Sequence, residues 1–159
     1  MYIKDYMSTN LITITPETSV LKASDLLKEH DINRLPVLEN GQLVGLITKE
    51  ILSKNSPSGA TSLSAHEVNY LLEKATAKDI MKKQVITIAP DSMVEEAASI
   101  MRANNIGVLV VTENAKLVGI ITDKDIFKAF VDVSGYDSPG SSLVVQLAGD
   151  RKGVIEEIG

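Results

Sequence analysis

Two residues at a strand-to-helix junction offer the clearest chemistry in the chain. Thr122 and Asp125 stand three apart, where the apolar run Leu117-Val118-Gly119-Ile120-Ile121 gives way to a helical pattern. A carboxylate so placed can accept hydrogen bonds from both hydroxyls of a ribose, as an acidic residue does in dinucleotide-binding folds. A helix that starts at Thr122 offers free N–H groups and a positive dipole end to a phosphate. Far upstream, Arg34 can give a phosphate a charge-assisted, bidentate contact. A plainer reading of each stands beside these. Thr122 and Asp125 also fit an N-cap with an acid in the first turn, Arg34 fits a solvated strand end, and Asn33 fits a turn.

The junction occurs twice. A shift of 74 positions aligns residues 4–52 with 78–126 without a gap, and roughly 19 of about 49 positions are identical. Leu43-Val44-Gly45-Leu46-Ile47-Thr48 repeats the strand, but Ile51 stands where the second copy has Asp125. Each copy is predicted as β-α-β-β-α. Short first strands cover Leu11 to Ile14 and Val85 to Ile88, ended by Pro16 and Pro90. A helix follows with Val20, Ala23 and Leu27 on one face, or Val94, Ala97 and Met101. Ser92 with Glu95 fits a capping box. A strand pair comes next, Leu35 to Leu38 with Leu43 to Thr48, and Val108 to Thr112 with Leu117 to Thr122. Asn40-Gly41 is a strong hairpin signal, whereas Ala115 in place of the glycine makes the second turn less comfortable. A second helix begins at Thr48 or Thr122. Between the copies, Ser53 to Ala60 reads as a loop. Ser64 and Glu67 cap a further helix bearing Val68, Leu71, Leu72 and Ala75.

Composition narrows the function. The net charge of -5 argues against a nucleic-acid partner. With no cysteine, disulfides, thiolate catalysis and zinc-thiolate sites are excluded. His30 and His66 have no metal-ligand spacing, so no metal site is expected. His30 reads as an exposed residue of a last helical turn, and His66 as solvent-facing. Asp91, Glu95 and Glu96 make an acidic helix start. No nucleophile, acid-base pair or Walker loop stands out, so no catalytic residue is assigned and the chain is not expected to be an enzyme. No apolar run reaches a membrane span, and Met1 to Asp5 is no signal peptide; a cytoplasmic protein without a membrane partner is expected.

The tandem β-α-β-β-α unit, with Ile32-Asn33-Arg34-Leu35-Pro36-Val37 and Gly119-Ile120-Ile121-Thr122-Asp123-Lys124-Asp125, resembles a CBS domain pair, or Bateman module. The fold class is then α/β (α+β), two CBS repeats packed about a pseudo-two-fold axis. The repeats are placed at 1–56 and 77–133, with a helical linker at 57–76. The resemblance implies two clefts shared between repeats, each a place for AMP, ADP, ATP or S-adenosylmethionine, with no cofactor required. Carried over by position, one cleft joins Ile121, Thr122 and Asp125 with Ile12, Ile32, Asn33 and Arg34. The other would use Thr48, Ile51, Ile86, Gly107 and Val108; lacking carboxylate and arginine, it is expected to be empty or weak. A regulatory module sensing an adenine nucleotide is the first reading, and a structural dimerisation module or a binder of S-adenosylmethionine the alternatives. A homodimer through the repeat helices is expected.

Residues 134–159 break the pattern. Leu143-Val144-Val145-Gln146-Leu147 reads as a strand, and Asp150-Arg151-Lys152-Gly153 as a turn into a helix. This tail resembles the opening of an ACT domain, truncated here. Two CBS repeats followed by an ACT domain resemble the AcuB-type acetoin-utilisation proteins.

Overall fold

The structure, a computed structural model, describes residues 1–55 and 64–135. A 3-10 turn, Ile3–Asp5, opens the chain. Then come α1 (Val20–Glu29), β1 (Arg34–Glu39), β2 (Gln42–Thr48), α2 (Lys49–Asn55), α3 (Ala65–Lys74) and α4 (Ala77–Ile80). They are followed by β3 (Thr87–Ile88), α5 (Val94–Asn104), β4 (Val108–Glu113), β5 (Lys116–Thr122) and α6 (Asp123–Ser134). Under the 74-residue shift α1 falls on α5, β1 on β4, β2 on β5 and α2 on α6. The result is an α+β fold made of a duplicated unit.

The helices bury the faces that the sequence pattern gives them. α1 buries Val20, Ala23 and Leu27, and α5 buries Val94, Ala97 and Met101. Ser19 caps α1, its side chain accepting from the Lys22 N–H. The expected Ser92–Glu95 box does not form; Met93 is the N-cap of α5, with no side-chain cap. Backbone takes over that role. The Ser92 carbonyl accepts from Ile3 N–H at 2.9 Å, and Val94 N–H donates to Met1 O at 3.0 Å, so the first orphan amide of the helix is already satisfied. The Ser64–Glu67 box does form, with both reciprocal bonds. Ser53 to Asn55, expected to open a loop, instead continue α2, and the Asn55 side chain donates to Ile51 O at 2.7 Å. The rest of that loop and the strand, turn and helix read in the tail lie outside the described residues.

β1 and β2 form an antiparallel pair, and β3-β4-β5 a three-stranded sheet. Asn40 (φ 54°) and Gly41 (φ 80°) make the first hairpin turn in the left-handed region. Asn114 (φ 54°) and Ala115 (φ 67°) keep the same turn without the glycine. Strand pairing overrides the alanine's local preference there.

The first strands are shorter than expected, and the two copies differ for one physical reason. Ile14 pairs with Val37 as an isolated parallel bridge: Ile14 N–H donates to Pro36 O at 3.0 Å and Leu38 N–H to Ile14 O at 2.8 Å. The next rung toward Ile12 needs an N–H at position 36, and proline has none. The second copy has Val110 there. Its N–H reaches Ile86 O at 3.3 Å, and β3 spans Thr87–Ile88.

The described chain divides into two compact units. One takes Met1–Met7, Asp91–Val108 and the segment from Ile121 onward; the other takes Ser8–Pro90 and Leu109–Ile120. In the first, Tyr2 bridges to Met93, and Ile3 is fully buried. Lys4 pairs with Asp91 at 3.0 Å, and the Tyr6 hydroxyl donates to Asp132 at 3.2 Å. In the second, Thr76 bridges to Ser19, Lys82 to Leu46 and Ser8 to Ile120. There Ile14, Val20, Ala23, Leu27, Leu35, Val37, Ile47, Leu52 and Ala77 make a continuous apolar core. Each repeat therefore lends its leading segment to the helix start and the strand of the other.

Two predictions follow from local geometry. Replacing Ala115 by glycine removes a left-handed alanine and should raise stability by about 1 kcal/mol, while Gly41→Ala should lower it similarly; denaturant titration checks both, and an A115G protein no more stable than the parent would contradict the assigned turn. The Asp79 carboxyl is held below its ordinary value of 3.8 by bonds from the Thr76 N–H and hydroxyl. A depressed folded-state value stabilises above the unfolded value and is lost as pH falls through the folded one. Asp79→Asn should therefore be less stable than the parent at neutral pH, with the gap closing below about pH 4; a pH-independent gap would contradict it.

Candidate functional site

α6 begins where β5 ends, and the junction fixes three of the expected site residues. Ile121 is fully buried and anchors the end of the strand. Thr122 is the N-cap of α6, in extended backbone at φ -119° and ψ 170°. Asp125 sits one turn in, and its Oδ2 accepts from Thr122 N–H at 2.9 Å and from Thr122 Oγ1 at 3.2 Å. The capping function is thus real. It uses one carboxylate oxygen twice and leaves Oδ1 with no hydrogen-bond partner among the described residues. Asp125 is half-buried.

The other four residues lie in the second unit. Ile12 and Ile32 are half-buried and pack against its apolar core, so both already serve the fold. The Asn33 side chain is exposed, while its carbonyl accepts from Lys49 N–H at 2.9 Å. Arg34 opens β1 opposite Thr48. Its Nε is buried and has no hydrogen-bond partner among the described residues. A buried, unpaired donor costs about 1–3 kcal/mol, and more when it belongs to a charged group. The structure thus joins Ile121, Thr122 and Asp125 in one unit, and Ile12, Ile32, Asn33 and Arg34 in the other.

The junction in the first copy carries different chemistry. Thr48 Oγ1 accepts from Ile51 N–H at 3.1 Å, so the N-cap survives. With Ile51 at the third position there is no carboxylate to bind hydroxyls.

A groove of about 480 Å³ in the first unit was not foreseen. Met101, Ile106, Ile126 and Phe127 give it apolar walls, and Arg102 and Asp123 its charges. Neither Thr122 nor Asp125 lines it. Gly107 lines it beside Asp123, and a Cβ there would stand 3.0 Å from Asp123 Oδ2. The signal was available in the repeat, since Gly107 replaces Asn33 and Asp123 replaces Lys49. Among the described residues no group of three or more His, Cys, Asp or Glu could hold a metal ion, and no helix is long and apolar enough to cross a membrane.

Comparison with known proteins gives a consistent result. The sequence profile of the CBS domain matches residues 3–56 and 77–132. An inosine-5'-monophosphate dehydrogenase of Korarchaeum cryptofilum is 34% identical over 127 residues, covering 78% of this chain. The chain spans 23% of the length of that enzyme. The CBS domain pair of protein MJ0100, solved in complex with 5'-methylthioadenosine and S-adenosyl-L-methionine, superposes with a TM-score of 0.68 at 30% identity. That match covers 84% of this chain and 98% of the other. A structure from Vibrio cholerae assigned to acetoin utilization (AcuB) superposes with a TM-score of 0.68 at 25% identity, over 86% of this chain and 94% of that one.

The capping bonds of Asp125 carry a prediction of their own, independent of any ligand. Asp125→Ala should lower the stability of the unliganded protein by about 0.5–1.5 kcal/mol, the usual net worth of an intramolecular hydrogen bond. Thermal or denaturant unfolding followed by circular dichroism measures it; unchanged stability would mean that the two bonds to Thr122 are not formed in solution.

Proposed function

The chain belongs to the CBS domain family, and on that premise we propose that it is a regulatory module that senses AMP, ADP or ATP. Thr122 and Asp125 hold the ribose and the helix N-terminus, and Ile121, Ile12 and Ile32 supply apolar contacts to the adenine. Asn33 and Arg34 take the phosphate. The observation that carries the choice of a phosphorylated ligand is the buried Nε of Arg34, which has no partner among the described residues; an anionic oxygen offers that donor one. The open Oδ1 of Asp125 supports the ribose contact. The module performs no chemistry. It works by differential affinity for two states of the protein, read out by a partner or by further chain, and it acts as a homodimer in the cytoplasm. The likeness to AcuB supports a place in acetoin utilization, with residues 134–159 as the start of an ACT domain.

A second reading is favoured by one observation: the MJ0100 pair, at 30% identity, holds 5'-methylthioadenosine and S-adenosyl-L-methionine. Both lack a phosphate. The two readings differ at Arg34.

Calorimetry with AMP, ADP, ATP, S-adenosylmethionine and methylthioadenosine separates them. The nucleotides should bind, and at 100-fold excess over Kd they should stabilise the fold by about 2.7 kcal/mol. Asp125→Ala should weaken every adenosyl ligand by about 1–3 kcal/mol. Arg34→Met should weaken only the phosphorylated ones. Equal losses for methylthioadenosine and AMP at R34M would remove Arg34 from the phosphate site. No binding of any of the five would leave the module a scaffold.

A further inference from the structure

The two hairpin turns share a backbone and differ at their second residue by one carbon. Asn40-Gly41 is the one Asn-Gly step in the chain. Both residues are exposed, both lie in the left-handed region, and a Cβ built on Gly41 would meet nothing within 4 Å. The Asn40 side-chain amide has no hydrogen-bond partner among the described residues. It stands at a hairpin tip, where chains open locally at little cost. The internal repeat supplies a control. Asn114-Ala115 follows a glutamate as Asn40-Gly41 does, is also exposed, and has the same φ of 54° at its asparagine. There, however, the Ala115 methyl crowds the backbone nitrogen that follows the asparagine.

We propose that Asn40 is a site of spontaneous modification, a deamidation with water as co-reactant, and that Asn114 is spared. The Gly41 backbone nitrogen gives its proton to hydroxide and attacks Asn40 Cγ. A C–N bond forms there, the bond from Cγ to the side-chain nitrogen breaks, and ammonia leaves with a proton taken from water. Water then opens the five-membered imide at either carbonyl and leaves aspartate or isoaspartate at position 40. Nothing is oxidised or reduced. The ring closes only when the tip opens. Glycine eases that step, because its backbone is the least restricted and no side chain crowds its nitrogen. The two products differ in consequence. Aspartate adds one negative charge beside Glu39 and suits the same turn. Isoaspartate inserts a methylene into the backbone of a two-residue loop, whose length sets the register of the strands it joins. β1 and β2 pair from Glu39 with Gln42 at the tip to Arg34 with Thr48 at the far end. The lengthened turn therefore weakens the ladder that seats both of those residues, in the first repeat alone.

Peptide mapping by mass spectrometry, on the full chain held in mildly alkaline buffer, tests the proposal. Asn40 should convert to a mixture of aspartate and isoaspartate roughly tenfold faster than Asn114, a barrier lower by about 1.4 kcal/mol. The rate should rise with pH, because the reaction removes the proton of the Gly41 nitrogen. Exchanging the second residues of the turns supplies the decisive variants. Gly41→Ala should slow conversion at Asn40, and Ala115→Gly should start it at Asn114. A115G is expected to be the more stable protein, so a faster reaction there does not come from loosened structure. The isoaspartate form, separated by ion exchange, should unfold at lower denaturant than the parent. Asn40→Asp, which carries the charge without the extra methylene, should stay close to the parent. Four results would each overturn the proposal: an Asn40 that persists in the folded protein while it converts in the unfolded chain, equal rates at Asn40 and Asn114, an A115G protein whose Asn114 stays intact, or an isoaspartate form as stable as the parent.

Discussion

Each repeat is completed by the backbone of the other, and the rest of the structure depends on that exchange. A helix start leaves N–H groups without intrahelical partners. In α1 the first of them, Val20 N–H, is taken by Ala75 O at 2.9 Å; in α5 the equivalent Val94 N–H is taken by Met1 O at 3.0 Å. Farther along, Lys82 pairs with Leu46 through two 3.0 Å bonds, and Ser8 with Ile120 at 2.8 and 3.0 Å. Each donor segment belongs to one repeat and each acceptor element to the other. Side chains follow the backbone: Ile3 and Ala77, which share a place in the repeat, are both fully buried. A single repeat would expose these edges to water, so the duplication is a folding requirement before it is a functional one.

The duplication also shows which features belong to the fold and which to function. Thr76 and Asp79 make the same two bonds as Thr122 and Asp125, at 2.9 and 3.1 Å against 2.9 and 3.2 Å. Yet they cap a helix of four residues in a leading segment. A threonine with an aspartate three residues on is therefore a capping device first. Asp125 is set apart by position: it follows a fully buried strand end and opens a twelve-residue helix whose dipole adds to its surroundings. Thr48 with Ile51 shows the converse, a cap kept where the carboxylate is gone.

Much of this was legible in the sequence. The 74-residue shift gives the duplicated elements, and apolar spacing gives the buried faces of α1 and α5 residue by residue. The exchange of leading segments was not legible, because a hydrophobic pattern records that a face is buried and not what buries it. The absent box at Ser92 has the same root, since a backbone carbonyl from a distant segment replaced the side-chain cap. The shortened first strand was readable in principle, from the proline at 36 and the valine at 110. It needed the register of the ladder, which only the paired strands supply. At the site, the Thr122–Asp125 bond followed from spacing. The groove beside Asp123 left a trace in the sequence, Gly107 against Asn33 and Asp123 against Lys49, but the two substitutions name no cavity until α5 and α6 are packed around it.

Arg34 is where fold and chemistry pull apart. β1 and β4 are equivalent strands with the same burial pattern, a half-buried first residue followed by three buried ones, and Val108 fills in the second the place Arg34 holds in the first. A valine satisfies that half-buried position with no polar atom to partner. The arginine instead buries an Nε that nothing among the described residues accepts. Natural folds leave few such donors unpaired, because the desolvation cost is not returned. The repeat shows that the strand itself does not need the charge. An anion-binding role gives the cost a purpose, and it is the asymmetry between the two copies, more than the arginine alone, that argues for it.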